Sequence, residues 1–287
     1  MEFFKLRNGI MMPAVGSGTN TFGREDDRYE SALNGDFTPM RTAIEAGYRL
    51  FDTALVYGNE DGIGEELAKS GIKREEFFIM GKIPNRAPYN SNEENIRKCV
   101  DDSLKNLKTD HFDMFLIHKA VDDAAAKRGE KMNLEKTLEL WGVLEDLYKE
   151  GKFRGIGVSN FEPEHLHEFM KGGWHELPMV NEIRCNPAMR NTEAENICRD
   201  LGIQVIAHSP LSFSIAPGVF AVDENYKAKL NEIGAKYGKH WAQVQLRYNF
   251  QNGIISIPKS SKPKNQASNL DIFDFALTDE EMAELSE

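Results

Sequence analysis

The sequence predicts an α/β chain closed as a (β/α)8 barrel, the TIM-barrel architecture, with an N-terminal β-hairpin. Three observations carry this. Short apolar runs alternate eight times with longer stretches of helical periodicity. Runs such as Phe112-Asp-Met-Phe-Leu-Ile117 are apolar almost throughout, as strands covered on both faces require. Each run ends at a polar or titratable residue, and in such barrels chemistry gathers at the C-terminal ends of the strands.

The elements follow in order. In Phe3–Pro13, Asn8-Gly9 stands between two short apolar stretches and predicts a hairpin with a type I′ turn. The eight runs are Ala14–Gly18, Tyr48–Thr53, Phe77–Lys82, Phe112–His118, Gly155–Ser159, Met179–Ile183, Val205–Ala207 and Ile254–Ile257. Helical stretches between them include Thr38–Ala46, Asn92–Leu107, Leu134–Glu150, Pro163–Met170 and Glu193–Leu201, with Tyr226–Tyr237 and Trp241–Gln251 before the last run. Strands alternating with helices imply parallel pairing through right-handed crossovers. A doubly wound sheet would want G-x-G-x-x-G after its first strand, and both Gly16-Ser-Gly18 and Gly155-Ile-Gly157 lack the third glycine.

The 287 residues suit one barrel, which needs about 250. No Pro/Ser-rich linker divides them, so residues 1–287 are expected to form one domain. A formal charge of −11 argues against nucleic acid and anionic membrane surfaces. No run approaches the ~18 apolar residues of a membrane span, and the start, EFFKLRNG, does not resemble a signal peptide. Cys99, Cys185 and Cys198 lack C-x-x-C spacing, so neither a zinc site nor a disulfide framework is expected, and a reducing cytoplasm is. His165 and His167, two apart on a helix, face different ways and suggest no metal site.

The strand ends are Thr19-Asn20, Asp52, Lys82, His118, Ser159-Asn160, Glu182, His208-Ser209 and Lys259-Ser260. A polar residue at any one end is ordinary capping chemistry. Their joint composition decides. Asp52 is followed by Tyr57 in the next loop, Lys82 ends the next run and His118 the one after. Parallel neighbours lie ~4.8 Å apart, so these four side chains can converge on one mouth.

Asp52, Tyr57, Lys82 and His118 resemble, in order and spacing, the catalytic tetrad of the aldo-keto reductases. The similarity runs through KLRNGIMMP, GYRLFDTALVYGNEDGIGEEL, LIH, GKFRGIGVSNF, VNEIRCNP, SPL and IPKSS, nearly the whole chain. It implies reduction of aldehydes or ketones to alcohols by hydride from a nicotinamide cofactor, NADPH for preference and NADH as a usable substitute. Tyr57 is the implied proton donor. A tyrosine titrates near ~10, and the Lys82 ammonium is expected to bring it down. Asp52 is expected to hold Lys82, and His118 to orient the carbonyl as a neutral imidazole.

The same resemblance implies cofactor contacts from Thr19, Asn20, Ser159, Asn160, Glu182, His208, Ser209, Leu211, Lys259, Ser260, Asn265 and Asn269, and no metal. Ser159 and Asn160 match the pair that holds the nicotinamide carboxamide. Glu182 stands where the family usually has glutamine, and an ion pair with Arg184, two residues on along the same face, is one reading of it. His208 stands where an aromatic ring commonly stacks on the nicotinamide. With an ordinary pKa of ~6.5 it would turn cationic in mild acid and weaken oxidised-cofactor binding below about pH 6. Ser209-Pro210-Leu211 match the start of the pyrophosphate loop. Lys259 and Ser260 match contacts around the 2′-phosphate. Asn265 replaces the expected arginine there, so preference for NADPH is expected to be modest. The stretch between Thr19 and Ala43, with its polar Arg24-Glu-Asp-Asp-Arg-Tyr29-Glu-Ser-Ala-Leu-Asn-Gly35, is longer than usual, and Lys119-Ala120 replaces Trp-Pro after His118. The chain reads as a short, prokaryotic-type member, a monomer or weak oligomer acting on a small carbonyl compound. A cofactor-binding regulatory or redox-sensing subunit is the alternative. A barrel glycosidase would need two carboxylates flanking a bond, which these Lys-, His- and Tyr-rich ends do not suit.

Overall fold

The structure is a computed structural model. It describes residues 1–26, 28–29, 31–172, 174–212 and 223–286. β1 (Phe3–Lys5) and β2 (Met11–Pro13) form the antiparallel hairpin. Eight strands then make one sheet: β3 (Ser17–Gly18), β4 (Leu50–Asp52), β5 (Phe78–Ile83), β6 (Met114–Ile117), β7 (Ile156–Ser159), β8 (Val180–Arg184), β9 (Gln204–His208) and β10 (Ile255–Ile257). Their order in space is their order in sequence and every pairing is parallel. The last strand returns to the first: Val15 bridges Ser256 in parallel, and the Gly16 N–H donates to the Ser256 carbonyl at 2.9 Å. This is the expected barrel, with shorter strands than the apolar runs suggested.

The described helices are α1 (Thr38–Ala46), α2 (Glu60–Lys69), α3 (Glu93–Leu107), α4 (Asp123–Lys127), α5 (Leu134–Lys149), α6 (Pro163–Phe169), α7 (Thr192–Asp200), α8 (Glu224–Ala235), α9 (Trp241–Gln251), α10 (Pro263–Leu270) and α11 (Asp279–Leu285). None is long and apolar enough to cross a membrane.

The hairpin is present, but its turn is not type I′. Of Asn8 and Gly9 only Gly9 has a positive φ, +90°, whereas type I′ requires it at both central residues. The Gly9 N–H donates to the Leu6 carbonyl and the Leu6 N–H to the Ile10 carbonyl, each at 2.8 Å. That is the three-residue loop with a left-handed glycine at its end.

The core has two layers, split by the period-two alternation of the strands. Leu50, Met80, Met114, Leu116, Val180, Ile206, Ile255 and Ile257 fill the barrel, and Leu6 and Met12 of the hairpin segment pack beneath them. Phe51, Ile79, Phe115, Ile117, Val158, Ile183 and Ala207 belong to the outer layer with the helices. At Gly157 a Cβ would sit 2.5 Å from Val180 and 2.8 Å from Leu116, so glycine there makes room for its neighbours. Following the inward positions to the strand ends is what locates the site. Two residues beyond Leu50 is Asp52, beyond Met80 Lys82, beyond Leu116 His118, beyond Val180 Glu182, beyond Ile206 His208 and beyond Ile257 Lys259.

Candidate active site

Asp52 ends β4 and Lys82 lies near the end of β5, both buried, and they form an ion pair. Lys82 Nζ also donates to the Thr53 carbonyl at 3.3 Å and lies 3.2 Å from Glu182 Oε2. Glu182 therefore meets Lys82, whereas one reading of the sequence pairs it with Arg184. Its neighbours across the sheet, Ser159 and Ile206, set it on the inward face. Burial raises the Asp52 carboxyl against the pull of Lys82. Burial and the Asp52 charge push the Glu182 carboxyl up to about 8. The Lys82 ammonium is held above its ordinary range: burial opposes it, but Asp52 and Glu182 outweigh burial.

Tyr57 closes a single 3-10 turn, Leu55–Tyr57, just after β4. Gly58, at φ 66°, lets the chain leave that turn and donates its N–H to the Leu55 carbonyl. Lys82 Nζ lies 5.7 Å from the centre of the Tyr57 ring, and His118 meets that ring edge-on at 5.8 Å. Burial raises the Tyr57 phenol; Lys82 pulls it down, while Asp52, Glu182 and Tyr29 add to the rise. The expectation that Lys82 leaves it below its ordinary value is thus corrected. Its attraction operates, but burial and a second carboxyl outweigh it.

Burial and the charges of Lys82, Lys119 and Arg86 keep His118 well below its ordinary pKa, so it is neutral. The His118 carbonyl accepts from Asn160 Nδ2 at 2.9 Å, which also donates to Ser159 Oγ at 2.9 Å. Ser159 Oγ in turn donates to the Glu182 carbonyl at 3.1 Å. His208 Nε2 pairs with Asn160 Oδ1 at 3.1 Å. Asn160 (φ 56°) and Ser209 (φ 48°) both adopt left-handed backbone at the ends of β7 and β9, an uncommon conformation outside glycine. Burial and the cations Arg184, Lys82 and Lys119 hold His208 down to about 3. The titration expected near pH 6 is corrected accordingly.

The remaining positions divide. Thr19 is buried, and its hydroxyl donates to the Asp52 carbonyl at 2.8 Å, so it braces the acid from behind. Asn20 is half-buried beside it. Ser209 is exposed and Leu211 packs on the outer core; residues 213–222, which follow shortly after, lie outside the described residues. Lys259 and Ser260 are half-buried ahead of α10, Asn265 is exposed on its first turn, and Asn269 is buried against the Tyr48 phenol.

Three residues carry weight that sequence reasoning missed. Arg24 donates to the Tyr57 carbonyl at 2.6 Å, and the Tyr29 hydroxyl to the Val56 carbonyl at 3.1 Å. The Tyr29 ring meets Tyr57 edge-on at 5.8 Å. The long polar stretch thus clamps the turn that presents Tyr57; its Asp27 and Glu30 lie outside the described residues. Asn59, fully buried, ties the two segments by donating to the Thr19 and Phe22 carbonyls. Its signal was its place directly after the Tyr57 loop. A cavity of about 290 Å3 lies at the barrel's other end, between Lys5–Arg7 and the starts of β9 and β10, far from this chemistry.

Neither acidic side chain here flanks an open cleft, because both are committed to Lys82. A phenol and a neutral imidazole facing each other beside a fixed ammonium instead define a barrel oxidoreductase, able to stabilise and protonate a developing alkoxide. The comparisons agree. The model of the aldo/keto reductase family matches residues 14–287. A glyoxal reductase of Bacillus subtilis is 37% identical over 97% of this chain and 89% of its own. A 9,11-endoperoxide prostaglandin H2 reductase of Trypanosoma cruzi is 36% identical over 98% and 89%. The crystal structure of a Bombyx mori aldo-keto reductase in complex with NADP superposes with a TM-score of 0.83 at 32% identity, covering 99% of this chain and 91% of that one. The chain belongs to the aldo/keto reductase family, and is an oxidoreductase that reduces carbonyl compounds.

Proposed function

We propose that this chain reduces an aldehyde or ketone to the alcohol with NADPH, with Tyr57 as proton donor. The meeting of Tyr57, Lys82, Asp52 and His118 at one end of the barrel carries the reading. The reduced nicotinamide supplies the hydride. As negative charge grows on the carbonyl oxygen, the Tyr57 hydroxyl donates its hydrogen bond and then its proton. Lys82 favours the resulting phenolate, and Asp52 fixes Lys82 in charge and place. His118, neutral, offers a second hydrogen bond to the same oxygen.

The residues fit the cofactor. Ser159 and Asn160 present a hydroxyl and an amide at the mouth, and His208 lies against Asn160. At the far end Lys259 and Ser260 precede the N-terminus of α10, with Lys262 and Lys264 exposed beside it. Helix N-termini and lysines suit a phosphate, though lysine lacks the bidentate fork that an arginine in place of Asn265 would have supplied. NADPH is accordingly preferred modestly and NADH is usable. Residues 1–287 act as one domain, cytoplasmic, as a monomer or weak oligomer.

The two relatives' names point to unlike compounds, a small dialdehyde and a prostaglandin endoperoxide, so a panel is the right assay. Loss of NADPH absorbance is followed with glyoxal, methylglyoxal and larger aldehydes and ketones. Tyr57→Phe is expected to reduce turnover by about 10²–10⁴-fold while cofactor affinity holds. Near wild-type reduction by that variant overturns the proton-donor assignment, and inert wild type across the panel favours a cofactor-sensing subunit.

A further inference from the structure

Two carboxyls in this site compete for one ammonium. Asp52 and Glu182 both lie against Lys82 Nζ, Glu182 at 3.2 Å, and all three side chains are buried. One ammonium lies against both carboxyls, so its single charge can balance only one of them if both are ionised. Two ionised carboxylates this close, away from water, would repel each other and leave the trio with a net negative charge. Asp52 bonds Lys82 directly, whereas Glu182 Oε2 has no hydrogen-bond partner despite its proximity to the ammonium. The proton therefore belongs on Glu182. Burial and the Asp52 charge act in the same direction.

The charged and titratable groups around it come from several strands. Asp52 faces Glu182 from β4 and Lys82 from β5, with Tyr57 beyond Lys82; His118 and His208 stand at the ends of β6 and β9, and Arg184 lies two residues along its own strand. Between pH 7 and 9 Lys82 stays cationic, both imidazoles stay neutral and Tyr57 stays a phenol. Asp52 is bonded to Lys82 and Glu182 Oε2 is not, so of the two carboxyls Glu182 is the one placed to change charge.

We propose that Glu182 is a positioning residue that acts through Lys82: protonated, it leaves the ammonium to Tyr57, and ionised, it draws that charge away and weakens the proton donor. This rests on the proton-donor role of Tyr57. No redox step is added; Glu182 loses its proton to solvent, and the phenol becomes harder to ionise.

The test reads Tyr57 directly, in cofactor-free protein, from the ultraviolet absorbance of tyrosinate against pH, with Tyr57→Phe subtracted to isolate its signal. In Glu182→Gln the Tyr57 phenolate is expected to form at a pH lower by about one unit or more than in wild type. Turnover follows: the wild-type rate falls as pH rises past 8, and in Glu182→Gln that alkaline fall moves upward. Identical phenolate titrations in the two proteins overturn the proposal. If Glu182→Gln does not fold, carbon-13 resonances of labelled Glu carboxyls in a Glu60→Gln background give the second reading; buried Glu60 must be removed because its own carboxyl is held up to about 7. A remaining Glu that titrates above pH 7 is expected, and full ionisation by pH 6.5 overturns the proposal. An active Tyr57→Phe enzyme overturns the donor role instead, and the phenolate titration is still readable.

Discussion

At His208 the surroundings reverse what the free side chain would do. Burial comes first, then Arg184, Lys82 and Lys119, and together they hold the imidazole down to about 3. A histidine with a depressed pKa keeps its neutral form until the pH falls through that lower value, so no cation forms in the mild acid range. Affinity for oxidised cofactor is therefore expected to be flat from pH 7 to pH 5, measured by quenching of protein fluorescence. A tenfold loss at pH 5 would mean that the ring becomes protonated and the packing around it is looser than described. Glu182 shows the same logic with the opposite sign. Burial disfavours charge on either group, which lowers a histidine and raises a carboxyl.

The helix that follows Tyr57 is the element whose sequence and conformation disagree most. α2 reads Glu60-Asp-Gly-Ile-Gly-Glu-Glu-Leu-Ala-Lys69, and two interior glycines each cost about 1 kcal/mol of helix propensity. Packing makes them necessary. A Cβ at Gly64 would lie 2.4 Å from the Asn106 carbonyl oxygen and 2.7 Å from Leu107 backbone at the end of α3, and one at Gly62 would enter the Phe37 ring. Gly64→Ala should thus lower stability by roughly 1–3 kcal/mol despite its better propensity, because backbone cannot yield as a side chain does. Gly142, inside α5, gives the contrast: a Cβ there meets nothing within 4 Å. Gly142→Ala should raise stability by roughly 0.5–1 kcal/mol. Urea midpoints of the two variants decide the matter. A stabilised Gly64→Ala would show that α2 and α3 are not in close contact.

Across the whole molecule, the two ends of the barrel carry different duties. The hairpin segment seals the bottom, with Leu6 and Met12 buried in the inner layer beside Met179, while the titratable side chains face the other end. Met12→Ala removes buried methylenes from a closed layer and should destabilise the protein by roughly 2–5 kcal/mol. Turnover measured well below its unfolding transition should stay at the wild-type level, since Met12 belongs to the hairpin that packs beneath the barrel, at the end away from Asp52, Lys82 and His118. A large fall in kcat without loss of fold would show that the layers are coupled along the barrel axis.

What the amino-acid sequence determined by itself is local and periodic. The eight apolar runs and their order stand in one chain, and a strand's period of two carries each inward column from Leu50 to Asp52, Met80 to Lys82 and Leu116 to His118. Those relations need no knowledge of what lies across the barrel, so the fold and the four converging residues were legible. The hairpin turn was read only in part, because Asn-Gly tolerates several backbone conformations and the strands select among them. Tertiary structure alone decided that Glu182 meets Lys82 rather than Arg184, that Arg24 and Tyr29 clamp the Tyr57 turn, and that two glycines belong inside a helix. The physical reason is common to all three. Desolvation, charge pairing and steric room depend on distances between residues far apart in the chain, and closure of the barrel sets those distances.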